Sequence, residues 1–288
     1  MKRVFITGSS GAVGRTLLRR LRQSEQRYEI FAPARHTSTN GLDVRDHERL
    51  SAAVCEFKPE LIFHLAADFS PDFASSYAVN VASSKVLLES AERLDTSPRV
   101  VLIGSAAEYG YVLPEDCPVA ETRVLRPISV YGLTKAWQTN LASLYASRNV
   151  DVIVARIFNL YGEGLSERMF AGKIQKQIEQ IELGSRSSIE IGSLSAIRDY
   201  ISIPDAIDQL LSISHFGNRG SVYHVGSGKP ISMREFLAQQ LAARNLVGVP
   251  IVEEPHRASQ RIYDVPAIYA DMSKTTALIK SCGGDVDA

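Results

Sequence analysis

The chain has 288 residues, 45% of them hydrophobic, and its 32 basic and 32 acidic side chains cancel at neutral pH. A chain of that length and apolar content supports one large core or two lobes, and excludes a disordered or collagen-like protein. Without net charge there is no long-range field to concentrate nucleic acid or anionic lipid, so neither is an expected partner and any phosphate must be held by local geometry. Met1 leads directly into a strand pattern, without a basic n-region, an apolar h-region or a small-residue cleavage site. No apolar run approaches the ~20 residues of a membrane-spanning helix. A cytoplasmic protein with no membrane segment is therefore expected. Cys55, Cys117 and Cys282 lie far apart without ligand spacing, which reads as reduced thiols, and the six histidines do not cluster, so no metal is expected.

Val4-Phe5-Ile6 predicts the first strand, and Thr7-Gly8-Ser9-Ser10-Gly11-Ala12-Val13-Gly14 follows it at once. The run opens a helix whose buried face is Val13, Leu17, Leu18 and Leu21. Glycines let the backbone turn tightly and approach a pyrophosphate, whose charge is met by amide N–H groups and the helix N-terminus. With 19 glycines in 288 residues the triple spacing arises by chance about 0.08 times per chain, and strand context lowers that further. Dinucleotide binding is preferred over a plain glycine turn, with Gly8, Ser10, Gly11, Ala12, Val13 and Gly14 as the contacts.

The second strand, Glu29 to Ala32, ends in Phe31-Ala-Pro-Ala-Arg35. No acidic residue is there to hold a ribose 2′-hydroxyl, and Arg35 is able to meet a 2′-phosphate. NADP(H) is thus favoured and NAD(H) is the alternative, in which case Arg35 is a solvated loop residue. Leu50, Ala53, Val54 and Phe57 at i, i+3, i+4 and i+7 predict a helix that stops at Lys58-Pro59. Leu61 to Leu65, Val100 to Ile103 and Val152 to Ile157 are further strands. This βαβ rhythm predicts an α/β fold built on a doubly wound parallel sheet.

Ser105 stands just past the Val100 to Gly104 strand, at the carboxyl edge where open α/β sheets bind ligands. Its hydroxyl either orients a carbonyl or caps the loop. Tyr131 and Lys135, at i and i+4, share one face of a helix that runs on through Trp137, Leu141 and Leu144. Spacing alone fits a packed helix with a surface lysine equally well. Chemistry adds an argument: an ammonium about 4 Å from a phenol favours phenolate by roughly 4 kcal/mol at an effective dielectric of about 20. A tyrosine shifted toward neutral pH is therefore expected.

After about Asn159 the rhythm loosens, and Gly162, Gly164, Gly172, Gly184 and Gly192 punctuate segments without strand–helix alternation. A smaller C-terminal lobe is expected here. Val222 to Val225 reads as a late strand, and Ser232 with Glu235 as a capping box opening a helix. The expected division is a cofactor-binding part over 1–158, with a return segment at 196–225, and a mainly substrate-binding lobe over 159–288.

Seven motifs in order and spacing resemble the extended short-chain dehydrogenase/reductases, the NAD-dependent epimerase/dehydratase family of Rossmann fold. They are Thr7-Gly8-x-x-Gly11-x-x-Gly14, His64-Leu65-Ala66-Ala67, Asn80-Val81, Ser105-Ala-Ala-Glu-Tyr109-Gly110, Tyr131-x-x-x-Lys135, Arg156-Ile-Phe-Asn159 and Arg198-Asp199-Tyr200. The likeness spans nearly the whole chain and looks most like the family's GDP-4-keto-6-deoxymannose reductases. It implies that Tyr131 gives or takes a proton, Lys135 binds the nicotinamide ribose and tunes Tyr131, and Ser105 orients the substrate carbonyl. Asp43 with Val44 matches the adenine-contacting position after the third strand, and Leu65, Ala66 and Ala67 match the stretch against the cofactor's ribose and phosphates.

On the substrate side the resemblance implies Asn159, Arg198 and Arg261, the arginines facing the diphosphate of a sugar nucleotide with the planar fork that suits phosphate oxygens. Arg168 in the Gly164-Leu-Ser-Glu-Arg168 loop is a further candidate. Glu108, beside the active serine, is a candidate of the same kind, and long polar residues in glycine-rich loops are commonly just solvated, while His64 reads as a satisfied core residue. Family members commonly pair through helices of the sheet domain, so a homodimer is expected.

Three functions are compatible with the resemblance: NADPH-dependent reduction of the C4 ketone of a nucleotide-diphosphate 4-keto-6-deoxy sugar, NAD-dependent 4-epimerisation of a nucleotide sugar, and non-catalytic NAD(P) sensing. Ser105, Tyr131 and Lys135 together argue against the sensor. Family dehydratases carry an acidic residue two positions after the active hydroxyl, and bifunctional epimerase-reductases a cysteine there. This chain has Ala107, whose methyl transfers no proton, and Glu108 falls one residue later, where the turn should aim it differently. With Arg35 pointing to exchangeable NADPH, reduction is favoured over epimerisation.

Overall fold

The computed structural model describes residues 1–35, 41–254 and 265–281. In chain order its elements are β1 (Lys2–Thr7), α1 (Ala12–Gln23), β2 (Tyr28–Phe31), α2 (His47–Phe57), β3 (Leu61–His64), α3 (Phe73–Tyr77) and α4 (Ser83–Arg93). Then come β4 (Arg99–Ser105), α5 (Val130–Ser147), β5 (Val152–Ile157), β6 (Asn159–Tyr161), α6 (Phe170–Glu182), β7 (Ile189–Ile191), β8 (Ile197–Ser202) and α7 (Ile203–Phe216). The chain closes with β9 (Val222–Val225), β10 (Pro230–Ser232), α8 (Met233–Ala242), β11 (Ile251–Glu253), β12 (Ala267–Ile268) and α9 (Ser273–Ser281).

Six strands form an all-parallel sheet in the order β2-β1-β3-β4-β5-β9. Because helices cover both faces, the central strands are buried throughout and apolar but for one polar residue near the carboxyl end of each: β3 is Leu-Ile-Phe-His and β5 is Val-Ile-Val-Ala-Arg-Ile. On one face α1 and α7 bring Leu17, Leu21, Ile207 and Leu210 against Val4, Ile6 and Phe63. On the other, α2, α4 and α5 bring Leu50, Val54, Leu87, Leu88 and Tyr145 against Phe5, Ile62 and Val100. This is the doubly wound architecture. Strand order reverses at β1, so a crevice opens outside the carboxyl ends of β1 and β3.

The helix signals in the sequence correspond to observed ends. α2 stops at Lys58, in the left-handed region at φ 49° just before Pro59. α8 starts in a capping box, the Ser232 hydroxyl accepting from Glu235 N–H while the Glu235 carboxylate accepts from Ser232 N–H. One feature lacked any periodic signal: between α3 and α4 the chain makes a π turn over Ala78–Ala82. Asn80 causes it to matter, since its Nδ2 donates to the Asp68 carbonyl and the Thr134 hydroxyl, both at 2.9 Å.

Beyond β5 the smaller sheets begin. β8 pairs antiparallel with β10 and parallel with β12 and β6, and β7 pairs with β11. α6 and α8 cover them through Ile174, Ile178, Phe236 and Leu237, with Tyr200 stacked on Phe236 at 3.8 Å. Asp199, wholly buried, ties these pieces to β9 by accepting from the Ser227, Gly228 and Ala270 backbone N–H groups. Among the described residues no helix is long and apolar enough to cross a membrane, and no group of three His, Cys, Asp or Glu residues is placed to hold a metal ion.

Candidate active site

The crevice is built first by β1 and the turn after it. Gly8 has φ +69°, and a Cβ there would stand 2.6 Å from Ala66 N, so only glycine lets the turn lie against the end of β3. Gly11 is the N-cap of α1, with no side-chain cap and no acidic residue in the first turn. The helix therefore presents uncapped N–H groups beside an exposed glycine, a cradle suited to phosphate oxygens. Ser10 is exposed there, Ala12 is buried and Val13 half-buried. Ser9 turns away, its hydroxyl donating to the Ala32 and Pro33 carbonyls at 3.1 Å, and so fastens the turn to the end of β2.

His64 locks β3 to β1. The Ser83 hydroxyl donates to the Val79 carbonyl, so it accepts from His64 Nε2 at 3.0 Å. Nδ1 is then the acceptor for the Thr7 hydroxyl at 2.7 Å, and Thr7 Oγ1 accepts from Ala66 N–H. Burial, helped by the positive charge of Lys135, pushes the His64 pKa down to about 3, which keeps it neutral. Leu65, Ala66 and Ala67 continue from it, half-buried, along the crevice.

Just beyond β2, exposed Arg35 donates through Nε to Asp43 at 3.2 Å. Asp43 also accepts from the Arg45 backbone N–H and guanidinium, and these bonds hold its carboxyl below the usual range. Asp43 is thus an anchor between two arginines, and Val44 next to it is buried in the core.

Ser105 is the last residue of β4 and pairs in register with Ile157 of β5. Its hydroxyl accepts from Ala107 N–H at 3.2 Å and faces the Tyr131 hydroxyl. Tyr131 stands in the first turn of α5, where Ser129 caps the helix and the Thr134 hydroxyl donates to the Tyr131 carbonyl. Phe69 stacks on its ring at 4.5 Å. The ring keeps some exposure, yet the chain crowds its hydroxyl, and burial raises its pKa. The nearby Ser105 hydroxyl opposes that rise and the charge of Glu108 adds to it. The expected shift toward neutral pH is therefore reversed in this structure: Lys135 Nζ lies 6.0 Å from the ring centroid and is committed elsewhere.

Lys135 is almost wholly buried and donates to the Ile103 carbonyl at 2.8 Å and to Gln138 Oε1 at 3.0 Å. Burial lowers its pKa to about 8, against the opposing pull of Glu108. Gln138 was not singled out from the sequence. Its position three residues after Lys135, on the same helical face, is the signal that marks it.

Glu108 is buried and turned into the protein, where it pairs with Arg156 at 2.8 Å. Arg15, which carries no motif signal in the sequence, donates from Nη1 to the Ser10 carbonyl in the glycine turn. Asn159 donates to the Asp199 carbonyl at 3.1 Å, and half-buried Arg198 donates to the Ile197 carbonyl at 2.9 Å. Arg168 is exposed in the loop before α6, while Arg261 lies outside the described residues.

A family model described as the NAD dependent epimerase/dehydratase family matches residues 4–226. The chain is 27% identical over 270 residues to GDP-6-deoxy-D-mannose reductase of Pseudomonas aeruginosa, covering 90% of this chain and 86% of that protein. It is 28% identical over 285 residues to UDP-glucose 4-epimerase of Mycolicibacterium smegmatis, covering 91% and 88%. A solved structure of RMD from Pseudomonas aeruginosa complexed with NADPH superposes with a TM-score of 0.83 at 24% identity, over 96% of this chain and 92% of that one.

Proposed function

Since the chain belongs to the NAD dependent epimerase/dehydratase family, we propose that it is an enzyme that reduces the C4 ketone of a nucleotide-diphosphate 4-keto-6-deoxy sugar with NADPH. The observation that carries this reading is the Ser105–Tyr131 hydroxyl pair at the carboxyl edge of the sheet, with methyl groups at Ala106 and Ala107 and the nearby Glu108 carboxylate held by the Ser105 amide, Thr139 and Arg156. A protonated phenol and an orienting hydroxyl suffice for ketone reduction, whereas dehydration needs a further acid–base group. The reductase relative from Pseudomonas aeruginosa and the NADPH-bound RMD structure support the same reading.

The uncapped N-terminus of α1 would hold the pyrophosphate of NADPH, which would supply the hydride for C4. Ser105 accepts from Ala107 N–H, and in the substrate complex its own proton turns from the Tyr131 side to the ketone oxygen. Tyr131, kept protonated at neutral pH by burial, passes its proton to that oxygen, completing the hydroxyl and leaving a phenolate. The Lys135 ammonium uses two of its N–H groups on Ile103 and Gln138, which leaves one for a ribose hydroxyl. Arg35 engages Asp43 through Nε, leaving its Nη groups to meet a 2′-phosphate. Asn159, Arg198, Arg168 and Arg261 are assigned to the sugar nucleotide, with 1–158 and the return segment 196–225 as the cofactor-binding part.

The experiment follows NADPH absorbance with GDP- and dTDP-linked 4-keto-6-deoxy sugars and, in parallel, UDP-glucose without added cofactor. Oxidation of NADPH in the first arm is the expected result. Its absence, together with formation of the C4 epimer in the second, replaces this reading with the epimerase one. The same reading includes a cytoplasmic location and a homodimer joined at the sheet helices, where Phe73, Tyr77 and Trp137 form an exposed aromatic group. Sedimentation at micromolar concentration tests the dimer.

A further inference from the structure

Glu108 is a carboxylate withdrawn from solvent between the Ser105 turn, α5 and β5. Its Oε1 accepts from the Ser105 backbone N–H at 2.7 Å. Its Oε2 accepts from the Thr139 hydroxyl at 2.8 Å and from Arg156 Nη2 and Nε at 2.8 and 3.1 Å. Arg156 is itself buried, and its Nη1 donates to the Tyr109 hydroxyl at 2.7 Å. Stability alone does not account for such a pair, because well-packed apolar residues commonly equal or exceed a buried ion pair.

What the carboxylate does is join the elements that carry the reacting groups. Tyr131, Lys135 and Thr139 at i, i+4 and i+8 share one face of α5. One carboxylate oxygen therefore grips the helix on its active face while the other grips the backbone of Ser105. At the near end of the same contact Gly132 lies so close to the Ala107 carbonyl that a Cβ would stand 2.4 Å from its oxygen. The serine turn is thereby fastened to α5 at two points, and the Ser105-to-Tyr131 spacing is set between them.

We propose that Glu108 is a positioning residue for the Ser105 and Tyr131 hydroxyls, acting through the Ser105 amide and the Thr139 hydroxyl, with Arg156 as its counter-ion. This rests on the reading of Ser105 and Tyr131 as the pair that meets the substrate carbonyl. Removing Glu108 leaves Arg156 unpaired and endangers folding, so the test is made at Thr139 in the full-length protein. Thr139→Val keeps shape and loses the bond to Glu108; Thr139→Ser keeps the bond.

With whichever sugar nucleotide the wild type turns over, the expectation is that Thr139→Val loses at least about fivefold in kcat while KM stays within about twofold, and that Thr139→Ser restores kcat. A merely structural threonine would lower melting temperature without that split and rescue. In the substrate-free protein the Ser105 amide is expected to exchange its hydrogen at least about threefold faster in Thr139→Val than in Thr139→Ser. The exchange measurement does not depend on the substrate assignment, so a wild type inactive on every sugar nucleotide offered would overturn the function and leave this clamp to be decided by exchange alone. A smaller loss of kcat in Thr139→Val, an equal loss in both variants, or equal Ser105 exchange would overturn the proposal.

Discussion

Tyr131 retains its proton at neutral pH because the chain crowds its hydroxyl, and that is the state from which a ketone is reduced. Tyr131→Phe removes the proton donor and keeps the stacked contact with Phe69. Turnover is expected to fall by about 10²–10⁴-fold with cofactor affinity and melting temperature little changed, as measured by steady-state kinetics and fluorescence titration. More than a tenth of wild-type kcat in this variant would remove Tyr131 from its assigned role. At the other end of the crevice Arg35 is an exposed guanidinium engaged at one nitrogen only. If its free fork meets a 2′-phosphate, Arg35→Ala lowers kcat/KM for NADPH by about tenfold and leaves that for NADH unchanged, since a charged hydrogen bond contributes about 1.5–3 kcal/mol. Equal values for both cofactors in wild type and variant would refute the assignment.

At the scale of the element, α5 matters more for where its first turn sits than for its helicity. Gly132 follows Tyr131, and a Cβ there would collide with the Ala107 carbonyl in the turn that leaves β4. Gly132→Ala should favour helix by propensity, by up to about 1 kcal/mol. It should nonetheless push the first turn away from Ser105. Since a displacement of about 1 Å can cost roughly 10²-fold, kcat is expected to drop at least about tenfold in a protein whose circular dichroism is unchanged. A Gly132→Ala enzyme as fast as wild type would show that the turn and α5 are not closely coupled.

For the molecule as a whole, the buried histidines set its response to acid. His64 is neutral between Thr7 and Ser83, with its pKa pushed down to about 3, and burial lowers His224 as well. Between the unfolded value near 6.5 and the folded one, the unfolded chain binds the proton and the native one does not. Stability from His64 is therefore complete above about pH 6.5 and is lost progressively as pH falls toward about 3, amounting to ~2 kcal/mol by pH 5. Melting temperature followed by circular dichroism from pH 7.5 to 4.5 should decline, and the decline should be shallower in His64→Gln. An identical slope in the variant would exclude His64 as a source of the acid sensitivity.

Local chemistry is what the sequence by itself determined. The alternation of apolar runs with helical periods, the Gly8-x-x-Gly11-x-x-Gly14 turn after a strand, the stop at Lys58-Pro59 and the Ser232–Glu235 box are readable because each is decided within a few residues. The spacing of Tyr131 and Lys135 marked a shared face for the same reason. Partners distant in sequence decided the rest. Glu108 read as a solvated loop residue because Arg156 and Thr139, which bury it, are 48 and 31 positions away. The direction of the Tyr131 shift could not be read from its distance in sequence to Lys135, since the ammonium is drawn to Ile103 and Gln138 and desolvation dominates. Asp43 likewise became an anchor between Arg35 and Arg45. Charge and burial act through space, so the electrostatics of the site followed from the tertiary structure alone.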